Sequence, residues 1–321
     1  MYLEYKILWI DDDLKSYIDN GDVASVKDFL LEKGFEPIIE TVFDVSDVTK
    51  LAESISMHDY DLILSDYKLG DKTGDNIIKR IREVDKKDSE ILFYTAKTDY
   101  KKEPKVKDNL AFIDRLTFHF GRDSLMDRIE KVISLTLKKL LDINATRGLI
   151  MAVTSELDVE IINIYNAIIS ELLSNDESKS KVDKIFKEDY KGVKKKHIKD
   201  CIKKRDSLLP EKYKIYFDSS DAFRKYNILK ELLKMKGLTE FDVDLFKEYK
   251  KEVIDIRNKF AHAQSDIQND KTILKGHLED EDFEFNEIKC TEIRKTLIKH
   301  KQNIDKLKNI LQKEKNDEQT N

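Results

Sequence analysis

Four short runs in the first third of the chain are almost continuously hydrophobic: KILWI at 6–10, DLILS at 61–65, EILFYT at 90–95 and LAFID at 110–114. A strand with one wet face alternates apolar and polar residues, whereas a strand covered on both faces is apolar in both directions. These runs therefore predict a parallel sheet with helices on either side. FEPIIETV at 35–42 reads as a further, weaker strand. The stretches 22–33, 46–56 and 74–84 carry helical spacing, which makes five βα units and a doubly wound α/β domain. In such a domain ligands bind beyond the carboxyl ends of the strands.

After about residue 121 the strand pattern stops. DSLMDRIEKVISLTLKKLLDI starts a helix capped by Asp123 or Ser124, and the helical pattern continues through 145–173. Further helices are expected near 180–208, 219–235, 239–263 and 290–313, with a loop or small hairpin at 264–289 and a frayed tail. At 321 residues the chain has room for two domains, expected at 1–135 and 136–321, the second all-α and bundle-like. Only 9 Gly and 3 Pro in a chain that is 38% charged suit a helix-rich protein. A net charge of −5 limits any nucleic-acid surface to a local patch. Cys201 and Cys290 make no metal-ligand spacing and no secreted-type framework, and MYLEYKILWIDDD is no signal peptide, so a reduced, cytoplasmic setting is expected. No apolar run approaches the roughly 20 residues of a membrane span.

Asp11 and Asp12 come after the first strand, Asp66 after the third, Thr95 ends the fourth, and Arg115 comes after the predicted fifth. All would meet at one edge of the sheet. Carboxylates gathered there repel one another unless a hard divalent cation such as Mg²⁺ neutralises them, and the cation would make Asp66 a usable nucleophile toward a phosphoryl group. IDDD, LILSDYKLGDKTG, YTA and AFIDR, in this order and spacing, resemble the motifs of response-regulator receiver domains over residues 4–135. The resemblance implies a flavodoxin-like fold, Asp66 as phosphoacceptor, and a histidine kinase or other phosphodonor as partner. It further implies Mg²⁺ on Asp12, Asp66 and the Lys68 backbone carbonyl with Asp11 assisting, Thr95 donating to a phosphoryl oxygen, and Phe112 as a switch aromatic. Gly74, eight residues after Asp66, fits the same pattern. Arg115 and Leu116 depart from the family's lysine–proline pair: arginine keeps the charge but is forked, and leucine disfavours a cis peptide bond.

IRNKFAHAQ at 256–264 carries the second motif. On a helix, Val253, Ile256, Phe260 and Ala263 share a core-facing stripe, Asn258 and His262 align on the opposite side, and Ile254 with Ala261 forms a narrow second ridge. Histidine can move a proton near neutral pH and arginine can brace charge developing on phosphorus, which suits attack of a ribose 2′-hydroxyl on its own phosphodiester without metal. Arg257 and His262 point about 140° apart on one helix, so a two-fold dimer would be needed to surround one phosphate. IRNKFAH also resembles the R-x4-to-6-H signature of the HEPN superfamily, over residues 143–313. That resemblance implies a metal-independent endoribonuclease acting as a homodimer on an RNA substrate, with Arg257, Asn258 and His262 in the active site; some such families add an acid from an earlier helix, where Glu156 or Asp158 could serve, although each also reads as an exposed helix charge. The competing expectation is a noncatalytic response regulator whose helical domain dimerises or recruits a protein, with Arg257 merely paired to Asp255 or Glu252. VKKKHIKDCIKKR at 193–205 could track an RNA backbone or simply be a solvated helix face.

Overall fold

The computed structural model describes residues 3–43, 59–69, 72–79, 81–82, 88–95, 114–191, 209–238, 248–262, 264–268, 271–275 and 283–320. The expected helix 46–56, Phe112, most of LAFID, the basic run 193–205 and the helix start at 239–247 lie outside the described residues. The chain divides into two compact units: Met1–Thr146 with Glu287–Lys295, and Arg147–Asn286 with Thr296–Asn321.

In the first unit β1 (Glu4–Ile10), β2 (Glu36–Val42), β3 (Leu62–Asp66), β6 (Glu90–Thr95) and β7 (Leu116–Phe120) form one parallel sheet in the order β2-β1-β3-β6-β7. This is the flavodoxin-like, doubly wound order. Leu8, Trp9 and Ile10 in β1 and Leu62 to Ser65 in β3 are buried, as their unbroken apolar character requires. The helices α1 (Leu14–Asp19), α2 (Asp22–Glu32), α3 (Asp75–Lys79) and α4 (Leu125–Leu137) come after strands or turns. Leu125, Ile129, Val132, Ile133 and Leu137 make the buried stripe of α4. A two-residue ladder, β4 (Lys68–Leu69) against β5 (Lys72–Thr73), comes directly after β3.

The last strand departs from expectation. It is LTFHF, six residues beyond LAFID, with Leu116 beside Ile91 and Phe120 beside Thr95. An edge strand has only one neighbour and is half-buried along its length, so it does not need the continuous apolar run that singles out LAFID. The helix expected to run unbroken from 124 into 145–173 also divides, because Asp142 starts a new one: its Oδ1 accepts from the amides of Asn144 at 2.7 Å and Ala145 at 3.0 Å. That helix is α5 (Ile143–Leu172).

The second unit contains most of α5, then α6 (Asp176–Lys191), α7 (Leu209–Ser219), α8 (Ala222–Met235), a π-helical turn at Lys250–Ile254 and α9 (Asp255–His262). Ile150, Val153, Leu157, Ile161, Ile164 and Ile168 bury one side of α5, and Tyr165 stacks on Phe217 with centroids 3.9 Å apart. Where a loop or hairpin was expected, β8 (Gln264–Gln268), β9 (Lys271–Lys275) and β10 (Phe283–Phe285) form a three-stranded antiparallel sheet.

The final helix α10 (Glu287–Thr320) gives its first turns to the first unit. Arg294 is 2% exposed; its guanidinium lies 3.6 Å from the Phe35 ring centre and its Nε donates to the Gly34 carbonyl at 3.0 Å. Burial lowers the Arg294 pKa to about 10. Gly34 has φ +79° and ends the turn after α2, and a Cβ there would come within 2.9 Å of the Arg294 Cβ. Arg294→Met should leave the Gly34 carbonyl without this donor and destabilise the first unit by about 1–3 kcal/mol. Urea unfolding monitored at Trp9, the chain's single tryptophan, checks this, and an unchanged midpoint would contradict it.

Candidate functional site

The chain leaves β1 toward β2 on one side and returns to β3 on the other, so the sheet's topological switch point lies between the carboxyl ends of β1 and β3. Asp11 and Asp12 sit there just past β1, and Asp66 ends β3. One carboxylate oxygen from each of these three residues lies within 4.8 Å of the others.

Their environments differ. Asp11 is 2% exposed; its Oδ1 accepts from the Asp13 amide at 2.7 Å and its Oδ2 from the Tyr94 hydroxyl at 2.5 Å. Burial raises the Asp11 pKa, against those two donors. Asp12 is exposed. Asp66 is half-buried, and burial together with the charge of Asp11 raises its pKa to about 7. The amides of Lys68 and Tyr67 oppose that rise, yet Asp66 Oδ1 is buried with no hydrogen-bond partner. A hard cation suits this donor set: oxygen ligands only, more than one negative charge, and a carboxylate oxygen left over. Gly74 closes in from below. A Cβ there would stand 2.5 Å from the Asp66 carbonyl oxygen and 2.9 Å from Ser65 Oγ, so only glycine allows this approach.

Thr95, another expected site residue, is buried at the carboxyl end of β6, the same edge as the acids. Lys68 heads the β4–β5 ladder with its amide directed at Asp66. Arg115 is not brought to the site. It precedes β7, at the amino edge of the sheet, with φ 54° and its Nη1 donating to the Asp88 carbonyl at 2.8 Å. About 16 Å of strand separates it from the opposite edge. The displaced strand is the reason: Gly121 and Arg122 come directly after LTFHF, and Arg122 reaches the acid edge. Its Nη2 donates to Ser16 Oγ at 2.7 Å, its Nη1 lies 3.5 Å from Asp13, and its guanidinium stands 4.6 Å from the Tyr17 ring centre. Placing the edge strand one run later in the sequence puts Arg122, and not Arg115, at the acid edge. Tyr94 has no signal of its own, since within EILFYT it reads only as strand material.

In the second unit a π turn, Lys250–Ile254, leads into the motif helix. Val253 and Phe260 of the expected core stripe are buried; of the expected second ridge, Ile254 is buried and Ala261 is exposed. Phe260 packs edge-on against Phe285 at 5.9 Å. Arg257 Nη1 pairs with Asp158 Oδ2 of α5 at 3.2 Å, rather than with Asp255 or Glu252. Burial raises the Asp158 pKa, and Arg257 acts against it. Glu252 instead binds Lys299 Nζ at 2.9 Å and the buried His300 Nε2 at 2.7 Å. Asn258 is exposed; the His262 side chain lies outside the described residues.

The first unit thus belongs to the open doubly wound α/β class, with three acids at its switch point. No protein-family model matches the chain, and no curated protein matches it. Among solved structures, the chain is similar to the Vibrio cholerae chemotaxis protein CheY4, crystallised at low pH, with 21% identity over 40% of this chain and 98% of that chain and a TM-score of 0.30. No helix among the described residues is long and apolar enough to cross a membrane.

The raised Asp66 pKa has a signed consequence. With the folded value near 7 and the unfolded value near 3.8, the folded state holds the proton more tightly between them, so stability falls as pH rises through that window. In EDTA, Asp66→Asn should therefore raise Tm relative to wild type more at pH 8 than at pH 4. Equal differences at both pH values, by differential scanning fluorimetry, would contradict the buried-charge account.

Proposed function

We propose that this chain is a phosphorylation-controlled response regulator that takes a phosphoryl group on Asp66. The observation that carries the reading is the buried, unpartnered Asp66 Oδ1 within a cluster of three carboxylates. Asp11, Asp12, Asp66 and the Lys68 carbonyl would hold Mg²⁺, whose charge offsets theirs and favours approach of a phosphoryl group. A carboxylate oxygen of Asp66 would attack phosphorus as the bond from phosphorus to the donor breaks, with the imidazole of a histidine kinase or the carboxylate of a small phosphodonor as leaving group. The Thr95 hydroxyl, on the same edge, donates to a phosphoryl oxygen. Arg122 supplies the cation that Arg115 is too distant to supply. Phe112 keeps the role of switch aromatic as part of this proposal.

The output we propose is metal-independent RNA cleavage by a homodimer of the helical domain. Arg257 would brace charge on the phosphodiester, His262 would move the 2′-hydroxyl proton, and the exposed Asn258 would contact the backbone. The Arg257–Asp158 pair supports the expected acid from an earlier helix, since it fixes the orientation of the guanidinium. The same pair favours a second reading, in which Arg257 only ties α9 to α5 and the domain dimerises or recruits a protein without cutting.

One experiment separates these readings. Wild type, Asp66→Ala and His262→Ala are incubated with RNA in EDTA, before and after treatment with acetyl phosphate and Mg²⁺. Labelling of wild type but not Asp66→Ala is expected, with RNA fragments that vanish in His262→Ala. Intact RNA in both phosphorylation states leaves the noncatalytic reading, and failure to label removes the phosphoacceptor.

A further inference from the structure

Asp11 does not face the acid cluster alone. Behind it runs a buried chain of donors: Trp9 Nε1 donates to the Tyr94 hydroxyl at 2.7 Å, and that hydroxyl donates to Asp11 Oδ2 at 2.5 Å. Trp9 is fully buried and Tyr94 is 2% exposed, so water does not compete for these bonds. The hydroxyl has one proton to give. With the indole N–H already directed at its oxygen, that proton is committed to the carboxylate. The Asp13 amide holds the other oxygen, Oδ1, at 2.7 Å. A carboxylate held at both oxygens cannot rotate about its terminal bond without breaking one of them. Its remaining lone pairs therefore have a set direction.

We infer that Tyr94 is a positioning residue of the acid cluster, orienting the Asp11 carboxylate toward a divalent cation through a Trp9–Tyr94–Asp11 relay. The inference rests on reading the three acids as a cation site and goes beyond it, by assigning a task to a buried tyrosine outside the ligand set. Two strands are joined in this way across a third, since Trp9 lies in β1, Tyr94 in β6, and β3 with Asp66 runs between them. Outer donors of this kind typically change metal affinity about 10- to 100-fold when removed. A hydroxyl that merely satisfied a buried carboxylate would affect stability and leave cation affinity alone.

The chain's single tryptophan supplies an optical readout. Mg²⁺ is titrated into wild type and Tyr94→Phe, with affinity measured by calorimetry and Trp9 emission recorded in parallel; circular dichroism establishes that the variant is folded. The wild type should bind Mg²⁺ with a change in Trp9 emission, and Tyr94→Phe should bind about 10-fold more weakly with that change lost. Equal or tighter binding by Tyr94→Phe overturns the relay and leaves the phosphoacceptor reading standing. A wild type that binds no Mg²⁺ overturns both. If Tyr94→Phe does not fold, Trp9→Phe carries the same test by calorimetry alone, and wild-type affinity there overturns the relay.

Discussion

Repulsion among three carboxylates at one edge of a sheet is the constraint around which the first unit is organised. Ordinary packing does not favour it. Burial raises Asp66 to about 7, Asp11 adds to that rise, and one Asp66 oxygen remains without a partner. Each is an electrostatic cost that a folded protein tends to avoid unless the site is used. The parallel strand order puts these residues together, because successive strands all end at the same edge and the chain reverses its winding direction there.

The surrounding residues make that arrangement tolerable. Gly74 lets backbone approach the Asp66 carbonyl where a side chain would collide. Tyr94 and the Asp13 amide donate to Asp11, and Arg122 brings positive charge to Asp13 at the rim. The second unit solves a different problem in a related way. A half-buried arginine on a short helix needs a fixed partner, and Asp158 on the long helix α5 provides one. The adjoining π turn is in turn held by Glu252 through Lys299 and His300.

Much of the first unit is legible in the sequence because a doubly covered parallel strand has an unmistakable apolar signature, and because acids directly after such strands have few other places to go. Its limits have the same origin. The edge strand LTFHF is half-buried and carries Thr117 and His119, so it loses to the more apolar LAFID as a candidate strand, and with it Arg122 loses to Arg115. Tyr94 is invisible for the converse reason: inside a continuous apolar run, a tyrosine whose hydroxyl has a task looks like one that merely fills space. In the helical unit the periodicity locates the motif helix, but the π turn that leads into it does not announce itself in sequence. Long-range pairs such as Arg257 with Asp158 are set by packing and cannot be read from spacing.

By itself the acid cluster is destabilising, and the proposed divalent cation relieves it. Thermal unfolding at pH 8, in Mg²⁺ and in EDTA, measures that relief on wild type and Asp66→Asn. The wild-type Tm should rise with Mg²⁺, increasingly at higher Mg²⁺ concentration, and rise much less once the Asp66 charge is gone. A wild-type Tm that is the same in Mg²⁺ and in EDTA would contradict it.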